Sequence, residues 1–72
     1  MTLYQFWKKY LQNHDRKIIV RKILIEKGEL LENELFNGSS GDIPDTLADL
    51  YVVATTFEDE DGLIMTIKVK EV

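Results

Sequence analysis

Two alternating runs near the C-terminal end constrain this chain more than any other feature. Tyr51, Val53, Thr55 and Phe57 recur at every second position, and so do Leu63, Met65, Ile67 and Val69. That spacing puts one face of a β-strand against a core. Between the runs lies Glu58-Asp59-Glu60-Asp61-Gly62, so the strands read as a hairpin whose loop length decides the register. A two-residue Asp61-Gly62 turn sets Phe57 opposite Thr66 and Val53 opposite Lys70. A three-residue loop, Glu60 to Gly62, sets Phe57 opposite Met65, Thr55 opposite Ile67 and Val53 opposite Val69. Only the second gathers the apolar residues on one face, and a one-residue slip would turn every side chain over. It is the expected register, with Gly62 in the left-handed position of a bulged loop. Val52, Ala54 and Thr56 then meet Lys70, Lys68 and Thr66 on a solvated face.

A hairpin with one greasy face needs a cover. Thr2 and Gln5 are spaced as a capping box. Leu3, Phe6, Trp7, Tyr10 and Leu11 follow on one face of a helix over about residues 3–12, which Asn13-His14-Asp15 ends. Ile18 to Ile25 reads as a strand. A central strand would seldom keep the adjacent cations Arg21 and Lys22, whereas an edge strand, or one with an extended basic end, tolerates them. Gly28 breaks that run. Residues 29–37 mix helix formers with alternation at Leu31, Asn33 and Leu35; a turn at Gly28-Glu29 favours a second strand and a hairpin. Asn37-Gly-Ser-Ser-Gly41 reads as a loop. Asp42-Ile43-Pro44-Asp45 opens a short helical turn over 43–50, with Ile43, Leu47 and Leu50 facing inward. The expected fold class is α+β, one small domain over 1–72. An N-terminal helix packs on a mostly antiparallel four-stranded sheet, in the order α-β-β-(short α)-β-β.

Composition limits the chemistry. With 72 residues and no cysteine, a disulfide framework, thiol catalysis and cysteine-ligated zinc are excluded. A single core of this size supplies only about 3–5 kcal/mol of net stability, so self-association, as a homodimer, is an expectation. No apolar run approaches the roughly 18 residues of a membrane span, and the N-terminal stretch does not read as a secretory signal; a cytoplasmic location is expected. Residues 1–27 hold seven Lys/Arg and two acids, a balance of +5, whereas residues 28–72 hold two Lys and eleven acids, a balance of −9. The plainest reading is that the two parts face each other and partly neutralise.

Reactive constellations fail on inspection. His14 is the only histidine, in a polar turn beside Asp15, and Ser39 and Ser40 lack a nucleophile-elbow pattern. The Glu58-Asp59-Glu60-Asp61-Gly62 stretch suggests a calcium loop. Placing Gly62 sixth puts Phe57 first and Lys68 twelfth, where acidic ligands belong. Gly38 and Gly41 match no phosphate loop, and Asn37-Gly38-Ser39 is a chance sequon. No catalytic residue, metal ligand or cofactor is expected, and the chain does not read as an enzyme. Arg16, Lys17, Arg21 and Lys22 could touch phosphates, but the nearby aromatics share the helix's core face, so nucleic acid is not the expected partner. Tyr4 and Tyr51 are the aromatics least tied to the core. These six are the candidate interaction residues.

The N-terminal amphipathic helix Leu3–Leu11, then Asp42-Ile43-Pro44 with Leu47, a Val-rich strand, an acidic turn and Gly62-Leu-Ile-Met-Thr-Ile67 resemble, in that order, small uncharacterised proteins of phages and integrated mobile elements of Gram-positive bacteria. The resemblance implies an α+β domain and assigns no catalytic residues. The expected function is a small non-enzymatic protein–protein interaction module with an unknown protein partner. An acidic inhibitor that mimics nucleic acid toward a host enzyme ranks second, on the acids of residues 28–72. A small nucleic-acid binder using residues 16–22 ranks third.

Overall fold

The computed structural model describes residues 1–58 and 63–71. Thr2 caps the first helix as its spacing from Gln5 requires. The Gln5 N–H donates to Thr2 Oγ1 at 3.2 Å, and the Thr2 N–H donates to Gln5 Oε1 at 2.8 Å. Helix α1 (Leu3–Phe6) runs without a break into a π-helical turn over Trp7–Leu11. Leu3 and Leu11 are buried and Phe6 and Trp7 half-buried, but Tyr10 is exposed, against its expected place in the core stripe. The cause is the wider turn: hydrogen bonds spanning five residues swing a residue three along further off the face than an α-turn does. Tyr10 instead rests against Phe6, with ring centroids 5.0 Å apart.

Strands β1 (Lys17–Glu26) and β2 (Glu29–Ser39) form the expected hairpin, joined by Lys27-Gly28. Both turn residues have positive φ, 52° and 80°. That is the pattern of the primed turns whose twist matches paired strands. β2 runs beyond residue 37, so Asn37, Gly38 and Ser39 belong to the sheet rather than to a loop. Gly38 sits opposite Ile18, where the backbone of β1 supplies pairing that composition does not reveal. The Phe36 ring lies over Gly38, 3.1 Å from where a Cβ would stand, so the glycine makes room for it.

Strands β3 (Tyr51–Phe57) and β4 (Met65–Lys70) complete a four-stranded sheet in the order β2-β1-β4-β3. Two of the three pairings are antiparallel and β1 with β4 is parallel, so the sheet is mixed. β1 is therefore central, which overturns the edge-strand alternative for it. Its cations are accommodated because acids from other elements reach them. In the C-terminal pair, Phe57 faces Met65 and Thr55 faces Ile67, as the register argument requires. Val53 does not face Val69. A bulge between Val52 and Ala54 inserts Val53, so Val52 opposes Val69 and Tyr51 opposes Lys70. Ala54–Lys68 and Thr56–Thr66 pair as expected. The three-residue loop expected at Glu60–Gly62 lies outside the described residues.

Residues 40–50 carry the chain from the β2 edge to the β3 edge, across the same face that the helix covers. In place of one helical segment they form two single turns, Ser40–Asp42 and Asp45–Leu47, with Pro44 leading into the second. Ile43, Leu47 and Leu50 do pack inward against the core of Leu3, Leu11, Ile18, Val20, Met65, Ile67 and Val69. The helix start is tied to this crossover through Leu3 N–H to Leu50 O (2.7 Å) and Tyr4 N–H to Ala48 O (3.1 Å). The other end is tied at Ser40, which is 1% exposed. The Trp7 indole N–H donates to Ser40 O at 2.8 Å, the Arg16 N–H donates to Ser40 Oγ, and Ser40 Oγ donates to His14 O. One small hydroxyl residue thus joins the helix, the start of β1 and the end of β2.

Candidate interaction surface

β4 covers β1 only from Ile18 to Lys22, whereas β2 follows β1 to the turn. Beyond Lys22 the hairpin is a two-stranded ribbon. Cross-strand pairing puts Leu24 with Leu31 on the helix side and Ile25 with Leu30 on the other. All four are open, from 45% exposure at Leu31 to 74% at Ile25. Two strands alone bury too little apolar surface to be stable in water. This ribbon stands because its base is continuous with the sheet.

The ribbon's base carries a charge network on the sheet face away from the helix. Arg21 lies 3.2 Å from Glu58 and 4.0 Å from Glu32, and Lys68 lies 2.9 Å from Glu32. The Lys68 hydrogen bond holds the Glu32 carboxyl below the usual carboxylate range; it outweighs the opposing effect of burial, and the Lys68 and Arg21 charges add smaller contributions in its own direction. On the helix side Lys22 pairs with Glu71 and lowers that carboxyl in the same way. Cations of the first 27 residues thus meet acids of the remainder, the neutralisation that the charge balance suggests.

The six candidate residues are not brought together. Arg21 and Lys22, adjacent in a strand, point to opposite faces, and both are neutralised. Arg16 lies over the Phe57 ring at 5.3 Å. Lys17 is exposed at the start of β1. Tyr4 and Tyr51 are both exposed. Tyr4 lines a shallow cleft with Trp7, Ile43, Pro44 and Asp45, while Tyr51 stands opposite Lys70 beside the bridge to Thr2. The described residues therefore hold no continuous basic patch built from residues 16–22.

His14 is exposed, and Ser40 meets its backbone carbonyl rather than its imidazole. No group of three or more His, Asp or Glu side chains converges as a metal site among the described residues. Of the Glu58–Gly62 stretch that suggests a calcium loop, all but Glu58 lies outside the described residues. No helix among the described residues is long and apolar enough to cross a membrane. No protein-family model, curated protein or solved structure matches the chain.

Leu24, Ile25, Leu30 and Leu31 are the residues that the sequence reading missed. The run Ile23-Leu24-Ile25, followed after one turn by Leu30-Leu31, signals a strand pair but not whether anything covers it.

Proposed function

We propose that this chain is a small non-enzymatic protein–protein interaction module and that the β1–β2 ribbon is its working element. One observation carries the reading: four large aliphatic side chains stand open on both faces of a ribbon that the rest of the sheet and the helix leave bare. Isolated exposed apolar residues are ordinary, but a contiguous set on a projecting element marks a contact surface. Glu29 and Glu34 along β2 flank it, so the partner surface is apolar with a basic rim. No reactive cluster among the described residues competes with this reading.

The test is a pair of baits, wild type and Leu24→Lys/Leu30→Lys, each first shown to be folded by circular dichroism. A partner that binds the wild type and is released by the double variant supports the proposal. Equal retention by both baits, or a partner lost instead when Tyr4 is replaced by Ala, overturns it.

A further inference from the structure

The cleft at Tyr4 lies between the helix and the crossover, and none of its lining residues comes from the ribbon. Tyr4 and Trp7 line it from the helix; Ile43, Pro44, Asp45 and Ala48 line it from the crossover. Its frame is hydrogen-bonded. The Tyr4 N–H donates to Ala48 O and the Ala48 N–H to Asp45 O, both at 3.1 Å, so the backbone segments that carry the Tyr4 ring and the Asp45 carboxylate are tied together. The Trp7 indole is held by its bond to Ser40 O. The walls are in place before any ligand arrives, which lowers the cost of binding.

The walls combine apolar surface with one charge. Among the described residues that line the cleft, Asp45 alone is charged. Elsewhere in the molecule Glu32, Glu58 and Glu71 are each matched by a Lys or Arg of the chain. Asp45 is not: no cation pairs with it among the described residues, although the helix carries Lys8 and Lys9, and Lys9 lies over the Tyr10 ring instead. The rest of the crossover adds Asp42 and Asp49 and no Lys or Arg. An anion is repelled here, and a wholly apolar group would displace water from the carboxylate without replacing its hydrogen bonds. A cation on an apolar stem satisfies both parts of the wall. Arginine suits it better than lysine. Its planar, weakly hydrated guanidinium stacks on aromatic rings and offers paired N–H donors to a carboxylate, whereas an ammonium gives up a tighter hydration shell. The volume, about 200 Å³, is below the roughly 300–1,000 Å³ that encloses a drug-sized ligand and suits a single long side chain.

We infer that the cleft between the helix and the crossover receives an arginine side chain of a partner protein, with the guanidinium against Asp45 and the stem along Tyr4 and Trp7. It is a second contact surface, and it stands or falls independently of the ribbon.

Nuclear magnetic resonance of the full chain tests it, with N-acetyl-arginine amide as the probe at constant ionic strength. Saturable shifts are expected at the Tyr4 and Ala48 amides and at the Trp7 indole N–H, at millimolar concentrations of probe. The citrulline analogue keeps the shape and lacks the charge, and is expected to bind about tenfold more weakly or worse; the same loss is expected for the arginine probe with Asp45→Asn. Tyr4→Ala is expected to weaken the arginine probe several-fold. Asp45 and Tyr4 are exposed, so both variants are expected to keep the fold, which circular dichroism checks, and the citrulline comparison needs no variant at all. Leu24→Lys/Leu30→Lys is expected to bind the probe as the wild type does, which separates failure of the cleft from failure of the ribbon. The inference is overturned by the absence of saturable shifts at these positions, by a citrulline or lysine probe that binds as tightly as the arginine one, or by undiminished binding to Asp45→Asn or Tyr4→Ala. Loss of the probe in the folded ribbon variant overturns it as well, since the site would then lie on the ribbon.

Discussion

Strand β1 carries Ile18, Ile19 and Val20 in its first half and Ile23, Leu24 and Ile25 in its second. The first three are buried, whereas Leu24 and Ile25 stand in solvent. Composition does not separate them, and both halves pair with β2. The difference is what lies on the other side. The first half has β4 alongside and the helix with the crossover above, whereas the second has neither. Burial of an aliphatic strand is thus a property of its neighbours, and an apolar run is equally good raw material for a core or for a contact surface.

The sharpest way to break this comparison is to truncate one side chain paired with each half of β1, Ile67 of β4 beside the first and Leu30 of β2 beside the second. Ile67→Ala, at a fully buried position beside Val20, is expected to cost about 2–5 kcal/mol, enough to leave a domain of this size largely unfolded. Leu30→Ala is expected to change stability by no more than about 0.5 kcal/mol. Urea titration reads both, and a loss at Leu30 comparable with that at Ile67 would show that the ribbon is part of the core after all.

A smaller effect is expected at the junction that anchors the covered half. Ser40→Ala removes the hydroxyl that accepts from the Arg16 N–H and donates to His14 O. Leaving those groups without their partner costs about 1–3 kcal/mol. The same titration checks it, and an unchanged midpoint would mean that the Trp7 indole and the Ser40 backbone bonds hold the junction alone.

The smallest effect concerns the seam between the halves. Glu32 stands opposite Ile23 in the ribbon and is bonded to Lys68 of the covered half. Its carboxyl is lowered in the folded chain, so its contribution is complete above the ordinary carboxylate range and is lost as pH falls through that range and below it. Glu71 acts in the same direction through Lys22. Glu32→Gln is therefore expected to make stability less dependent on pH below about 5, where carboxylates begin to protonate. Both groups are solvent-accessible, so the change is modest. Acid titration of wild type and variant by circular dichroism measures it, and identical profiles would remove Glu32 from the seam.

Local signals were legible wherever a residue's neighbours along the chain settle its role. The Thr2–Gln5 cap, the pairing of Phe57 with Met65 and of Thr55 with Ile67, and the inward turn of Ile43, Leu47 and Leu50 are of this kind. Arg21 and Lys22 misled because adjacent cations point to an edge only when nothing distant neutralises them, and Glu58 and Glu71 lie more than thirty positions away. Ser40 was unreadable within a Gly/Ser run, since its role depends on Trp7, His14 and Arg16 arriving together. The candidate surface was the least legible, because exposed aliphatics such as Leu24 and Ile25 and core aliphatics such as Ile18 and Val20 look the same in a string of letters.

By itself the amino-acid order determined the capped helix start, the presence of the two hairpin strand pairs, the facing of Thr55 and Phe57 toward Ile67 and Met65, and that no cysteine chemistry is open to the chain. The tertiary structure alone decided that β1 is central, that β4 runs parallel to it, and that the hairpin outruns its cover. The reason is physical. Capping and side-chain alternation act between residues a few positions apart, whereas strand order and exposure follow from which distant surfaces meet, and a two-residue period is the same whatever lies beside it.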